Sequence, residues 1–343
     1  MSRAERANLA ALCKALLGET PQQPDWNAIL ALANRTLVTP ALARSLRERE
    51  AIPGEVREFL QHIAERSRMR NETMRSQLGE AAAALARTGQ TPILLKGAGM
   101  LADPSAPLDQ RLFADLDLLL PRIGAEQAVA ALSEAGFSLY ASSVAIDDGI
   151  NLKRDIDAGG VDIHFRLRAL PGAPGYDEML DFTAPATIGG NRVLTLTPTA
   201  QAAVLIAHDQ IQERDYWRGL IDLRHLYDLH MIALRHGAAD AEALHRLFPT
   251  GASRRAMETQ LLTAHRFFGT PLPPDWRPAL RARLQAARRE WQLSRPVAMP
   301  LLTAASLLCD LPALASPLAA LSDWRHRARY LRRMFEPRKD TKA

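Results

Sequence analysis

The chain is short of several things, and each shortage removes a class of protein. Only two cysteines occur in 343 residues, Cys13 and Cys309, near opposite ends and each inside an apolar helical pattern. They read as buried free thiols in a reducing compartment. No Cys or His cluster has zinc-ligand spacing, which excludes a zinc finger or ribbon. No apolar run approaches the roughly 18 uninterrupted residues of a bilayer span; the most apolar stretch, 297–321, is broken by Asp310 and by Pro300, Pro312 and Pro317, and reads as buried helices. Repeats of fixed period and low-complexity tracts are absent, which excludes solenoids and tethers. The opening MSRAERANLAALCKALLGE is amphipathic and acidic early, unlike a secretion signal, and predicts a cytoplasmic protein. Charge excess is small. The formal net charge of +5 suits a polyanionic substrate such as a nucleoside triphosphate or RNA, and equally suits an arginine-rich composition spread over many helices.

What remains is ordinary globular material: 47% apolar and 24% charged residues, enough for one large domain or two smaller ones. Three regions follow from the periodicity. Residues 1–88 read as helices, with apolar side chains at three- and four-residue spacing in ANLAALCKALL and DWNAILALANRTL, and with Asp25 as an N-cap. Within them, 54–87 is one long helix or two stacked ones, closed by Thr88-Gly89. Residues 89–198 change period. Strands are expected at 92–95, 113–120, 137–142, 150–156, 161–167 and 192–196. A helix is expected at 125–135 with Gly136 past its end, and a hairpin turn at 157–160. From Pro198, suited to a first helical turn, residues 199–343 are helical. The fold class is α+β: a small mixed sheet flanked by N-terminal and C-terminal helical regions.

Strand side chains alternate, so Asp115 and Asp117 in FADLDLLL share a face about 7 Å apart. Two carboxylates on an apolar strand are costly unless neutralised, and a hard cation does that well. The plainer reading is a strand end with its acids in water. In VDIHFRL, Asp162, His164 and Arg166 share one face. If that strand lies beside FADLDLLL, three carboxylates converge, as two-metal phosphoryl transfer requires; Asp162 is then the second-metal ligand and general base. LLKGAG presents backbone N–H groups and Lys96 where phosphate oxygens can bind, or else is a plain strand-to-helix turn. Arg111 is either a bidentate phosphate contact or a salt-bridge partner of one of the aspartates.

Together, LLKGAGM, R-x-x-x-D-L-D-L-L-L, a helix ending AGF and V-D-I-H-F resemble the uncharacterised nucleotidyltransferase family of the DNA polymerase β-like superfamily. The likeness covers 93–167 and extends more weakly over 203–229, AVLIAHDQIQERDYWRGLIDLRHLYDL. It implies a divalent metal, Mg²⁺ or Mn²⁺, at Asp115 and Asp117 with Asp162 as third carboxylate, and places Lys96-Gly97 at the superfamily's Gly-Ser phosphate turn. His164 matches the family's histidine, where it orients Asp162, contacts substrate, or stands behind the ligands. Two departures stand out. MLADPSAPLDQ, before Arg111, is rich in Pro and Asp, and Phe165 replaces a frequent Trp.

His225 and His230 are five residues apart and do not stack on one helix face, which argues against a metal pair. Asp222 caps or salt-bridges its helix. The basic segment 324–333 with Trp324 and Tyr330 binds RNA or an anionic surface, or is a solvated helix face. The expected activity is metal-dependent transfer of an NMP group from an NTP to an acceptor, with Asp115, Asp117 and Asp162 catalytic and Lys96, Gly97 and Arg111 holding the nucleotide. Alternatives are a non-catalytic nucleotide-binding scaffold or an RNA-directed transferase.

Overall fold

The computed structural model describes residues 1–140, 149–249 and 251–310. The basic segment 324–333, the second half of the apolar stretch 297–321, and residues 141–142 of the expected third strand lie outside them.

Seven strands form one mixed sheet: β1 Ile93–Leu94, β2 Asp115–Leu119, β3 Ser138–Leu139, β4 Ile150–Lys153, β5 Gly160–His164, β6 Thr183–Ile188 and β7 Asn191–Leu196, in the order β3-β4-β5-β2-β1-β7-β6. β2 runs parallel to β5, and β1 parallel to β7; the remaining neighbours are antiparallel. With helices before and after it, the fold is α+β.

Alternation along the central strands sorts side chains into two cores. Leu94, Leu116, Leu118, Val161 and Ile163 point to one face and pack against the helices Gly54–Ala86 and Ala125–Glu134. Ile93, Leu95 and Leu119 point to the other, into a core shared by the N-terminal helices and the helices that follow β7. Period-2 alternation puts Asp115 and Asp117 on the face of Leu119, and Asp162 and His164 on the same side of β5. The acids therefore face the C-terminal helices.

The helix Gly54–Ala86 spans 33 residues, about 50 Å at 1.5 Å per residue. It does more than cover the sheet, because polar side chains along it hold the Pro- and Asp-rich connection before β2 and the turn before β5. Asn71 Nδ2 donates to the carbonyls of Leu108 and Arg111, both at 2.6 Å. Arg75 donates to those of Leu101 and Asp103, both at 2.7 Å, and Gln77 Nε2 to Gly159 at 2.8 Å. Each bond satisfies a carbonyl outside the sheet ladder, which fixes a segment with no periodicity of its own.

Several expectations hold. Asp25 caps the helix Trp26–Arg35, Pro198 opens the helix Pro198–Ala207, and 54–86 is one helix. Gly136, just past the helix Ala125–Glu134, has φ +90°, a conformation glycine adopts freely. Others need correcting. Strands β1, β2, β4 and β5 are shorter than the runs expected for them, β7 begins one residue earlier than expected, and β6 was not expected. Its hairpin turns on Gly189 and Gly190, φ +55° and +78°, and a Gly-Gly pair between two strand-like runs is the signal that marks it. Cys13 is buried, its thiol pushed up to about 12 by burial, whereas Cys309 is exposed, being the last residue of the helix Met299–Cys309. Among the described residues no helix is long and apolar enough to cross a membrane.

Candidate active site

The register of β2 and β5 brings the acids together. Asp115 pairs with Gly160 and Asp117 with Asp162, so Asp117 and Asp162 are side-by-side neighbours on one face of a parallel pair. Gly160 leaves room between the outer two. A Cβ built on it would stand 3.7 Å from Asp115 Oδ1 and 3.9 Å from Asp162 Oδ1. The three carboxylates are close but not closed upon one another.

Their surroundings differ. Asp117 is buried, 8% exposed, and its Oδ1 accepts from Lys96 Nζ at 2.8 Å and meets His164 Nε2 at 2.9 Å. Burial pushes its carboxyl up, but His164 and Lys96 outweigh burial and hold it well below the usual range. Asp115 and Asp162 have no such cation. Burial, then the charge of Asp117, raises Asp115. Burial, then Asp117 and Asp115, pushes Asp162 up to about 6. One acid is neutralised by its neighbours and two are left in mutual repulsion. His164 thus bonds to Asp117, the partner across the strands, rather than orienting Asp162 beside it.

The lysine turn follows β1 directly. Lys96 begins the helix Lys96–Ala102 with φ +44°, a conformation costly for a residue with a Cβ. That backbone bend brings its ammonium to Asp117. At Gly97 a Cβ would come within 2.6 Å of Phe113 Cδ1 and 3.2 Å of Arg111 Nη1, so only glycine lets the turn approach this closely. Arg111 stacks over Phe113, 5.1 Å from the ring centre, and donates through Nε to Asp228 Oδ2 at 3.0 Å. Its ion-pair partner is therefore Asp228, on the helix Leu223–His236, rather than Asp115 or Asp117. Lys96, Gly97 and Arg111 are adjacent. Asp228 also lines a cavity of about 430 Å³ whose walls include Met100, Gln110, Gln201 and Met231.

The C-terminal helices bring a second polar group to this face, in which His208 and Asp209, not singled out in the sequence, join Asp222 and His225. His208 and Asp209 lie on a π-helical turn, His208–Gln212, a local distortion often found at functional sites. Burial, then the charges of Lys96 and His225, depresses His208 to about 3, so it is a neutral imidazole within electrostatic reach of the Lys96–Asp117 pair. Its ring meets that of His225 edge-on at 5.7 Å. Asp222 caps the helix Leu223–His236 by accepting from His225 N at 3.2 Å. Burial opposes protonation of His225, but Asp222 and Asp209 outweigh it and raise its pKa. His230 takes no part: it stacks on Phe268 and faces Thr270. The cue that could have found this group is the short H-D pair in the 203–229 block, thirteen residues before the Asp222 cap.

No curated protein matches the chain. A family model described as "Uncharacterised nucleotidyltransferase" matches residues 22–269, a span that takes in the long helix Gly54–Ala86, the whole sheet and both polar groups, and the chain belongs to that family.

Proposed function

From that membership we propose that the chain transfers a nucleoside monophosphate from an NTP to an acceptor hydroxyl or phosphate, releasing pyrophosphate, with Mg²⁺ or Mn²⁺ held by Asp115, Asp117 and Asp162. The observation that carries the reading is the direct pairing of Asp117 with Asp162 across two parallel strands, with Asp115 on the same face. The residues fit the ions. All three ligands are carboxylate oxygens, the donors hard cations prefer, and in two of them burial and like-charge repulsion outweigh the nearby cations. Bound there, divalent ions would supply charge neutralisation for the triphosphate and the developing transition state.

The chain's own groups do the rest. The acceptor oxygen attacks the α-phosphorus as the bond to the pyrophosphate oxygen breaks, and Asp162 takes the acceptor's proton. Lys96 and the backbone of the Lys96-Gly97 turn bind phosphate oxygens, the missing side chain at Gly97 allowing close approach. Arg111, with one nitrogen anchored on Asp228, has its remaining guanidinium donors beside that turn. His164 holds Asp117 in place. The cavity beside Asp228 is the space offered to the acceptor or the nucleoside, and the protein acts in the cytoplasm.

The test is transfer of label from α-labelled NTPs, with pyrophosphate release, to pools of small-molecule, protein and RNA acceptors in Mg²⁺ or Mn²⁺. Loss of transfer in Asp117→Asn and Asp162→Asn supports the assignment. Undiminished transfer in both variants overturns it.

A further inference from the structure

Asp209, Asp222 and His225 gather from two different elements. Asp209 comes from the π-helical turn, Asp222 from the cap of the helix Leu223–His236, and His225 from that helix's first turn. One carboxylate oxygen from each acid and one ring nitrogen all lie within 4.8 Å of one another. His225 Nδ1 is 3.3 Å from Asp209 Oδ1 and 3.7 Å from Asp222 Oδ2.

We propose that these three side chains form a second divalent-cation site, separate from the sheet carboxylates and suited to a borderline ion such as Zn²⁺. The spacing is the first support. Bonds of 2.0–2.2 Å at tetrahedral angles place neighbouring ligand atoms roughly 3.3–3.6 Å apart, close to the two separations His225 Nδ1 makes here. The second support is independent of it. Asp209 and His225 are almost wholly buried, 0% and 4% exposed, yet Asp209 Oδ1 and His225 Nδ1 have no hydrogen-bond partner. They face one another at bonding distance but off the line a hydrogen bond needs, although a buried polar atom without a partner is costly. An ion between them would satisfy both.

The surroundings are those of a built site. The other oxygen of Asp209 is held by Gln210 Nε2 and Gln260 Nε2, each at 2.7 Å. Gln260 is in turn oriented by Arg289 at 2.7 Å. Ligands whose far atoms are fixed by hydrogen bonds are the usual mark of metal coordination. Two carboxylates balance a divalent charge, leaving imidazole as a neutral donor and a fourth position for water on the side of Asp222, the least buried of the three. The rival arrangement is a protonated His225 held between two carboxylates with no ion. The ion would clamp the π-helical turn to the next helix and so fix His208 beside the Lys96–Asp117 pair. This inference does not depend on the nucleotidyl-transfer reading.

The test uses the full chain, stripped with chelator and titrated with Zn²⁺, and with Co²⁺ as an optical probe. Wild type and the Asp117→Asn/Asp162→Asn variant are each expected to bind one equivalent of Zn²⁺ that the sheet carboxylates do not account for. Co²⁺ should give visible d–d bands, with a rise in melting temperature. Asp222→Asn is the decisive variant, because asparagine caps a helix as well as aspartate does but does not carry the charged ligand. It should weaken Zn²⁺ binding at least 10-fold while keeping the fold, and His225→Gln should do the same. Absence of Zn²⁺ or Co²⁺ binding in the Asp117→Asn/Asp162→Asn variant, or unchanged binding in Asp222→Asn, would overturn the proposal.

Discussion

Two groups of aspartates lie on the same side of the sheet and have opposite characters. On β2 and β5, Asp115 is exposed at the start of its strand and Asp162 is half-buried; neither is paired directly with a cation as Asp117 is, and their carboxyls are pushed upward. Among the C-terminal helices, Asp209 is fully buried, yet its carboxyl is held well below the usual range. Burial alone would raise it, but His225 and Arg289 outweigh burial, helped by Gln210. The deeper acid is thus the more comfortable one. Depth does not decide whether a buried acid is tolerated; its partners do. The sheet keeps a tension that folding alone does not require, whereas the helices meet one oxygen of Asp209 with two amides and leave only Oδ1, facing His225, without a hydrogen-bond partner. A fold retains the first kind of arrangement where something outside the chain relieves it.

The comparison can be broken most forcefully at Asp117. Asp117→Asn removes the centre of the trio while nearly preserving its shape. Transfer from NTP should fall by at least about 10³-fold, roughly 4 kcal/mol of transition-state stabilisation. Melting temperature should also fall, because Lys96 and His164 lose the carboxylate they hold well below its usual range. A variant that unfolds while its remaining folded fraction keeps full activity would make the sheet acids structural. At the other group the balance should reverse. Arg289 is fully buried and donates to Leu220 O through Nε at 2.9 Å and through Nη2, and to Gln260 and Thr263 through Nη1 at 2.7 and 3.0 Å. Arg289→Met should cost about 3–5 kcal/mol in urea unfolding, since it leaves Asp209 short of a counter-charge and several polar atoms unpaired. A loss under about 1 kcal/mol would show that the helical network does not depend on it.

The two groups were also unequally legible in the sequence. The sheet acids could be found because strand alternation is strict: Asp115 and Asp117 in FADLDLLL and Asp162 in VDIHFRL announce their faces, and only the pairing of the two strands had to be supplied. The lysine turn was visible as LLKGAG, but its contacts were not. That Lys96 reaches Asp117, and Arg111 reaches Asp228 from 117 residues away, depends on how helices dock, which no local period encodes. Asp209 was not singled out, and His225 was weighed only against His230, for the same reason. A helix interior offers an Asp or His no distinctive spacing when its partners come from another helix, and a π-helical turn shifts the faces that 3.6-residue counting assigns. The β6–β7 hairpin was missed although Gly189-Gly190 marks it, because β6 carries Pro185 and only weak alternation.

A smaller effect tests whether the phosphate side of the sheet site is built in advance. Gly97→Ala would push a methyl to 2.6 Å from Phe113 and 3.2 Å from Arg111, forcing the ring and guanidinium to yield. Overpacking of this kind costs about 1–3 kcal/mol. NTP affinity by calorimetry should weaken as well, because the displaced groups are those proposed to hold the triphosphate. Intact affinity in a destabilised variant would separate the turn from nucleotide binding.

The finest test of the contrast is Asp162→Asn, for which the sign is unusual. The Asp162 carboxyl ordinarily titrates at 3.8 and is pushed up to about 6 in the folded chain. The native state therefore holds its proton more tightly than the unfolded state, and stability declines as pH rises from about 4 to about 6. Above that window the ionised carboxylate opposes the fold. Asparagine cannot ionise, so the variant should match the wild type near pH 4 and exceed it at pH 7.5 without metal. The expected gain is about 1–2 kcal/mol once solvent screening of a partly exposed group is allowed for. Adding Mg²⁺ should shrink or invert the gain, because a ligand that binds the native wild type stabilises it in proportion to its occupancy. Were the metal-free variant instead less stable than wild type at pH 7.5, the ionised Asp162 carboxylate would be favoured by the fold, and no repulsion would remain for a cation to relieve.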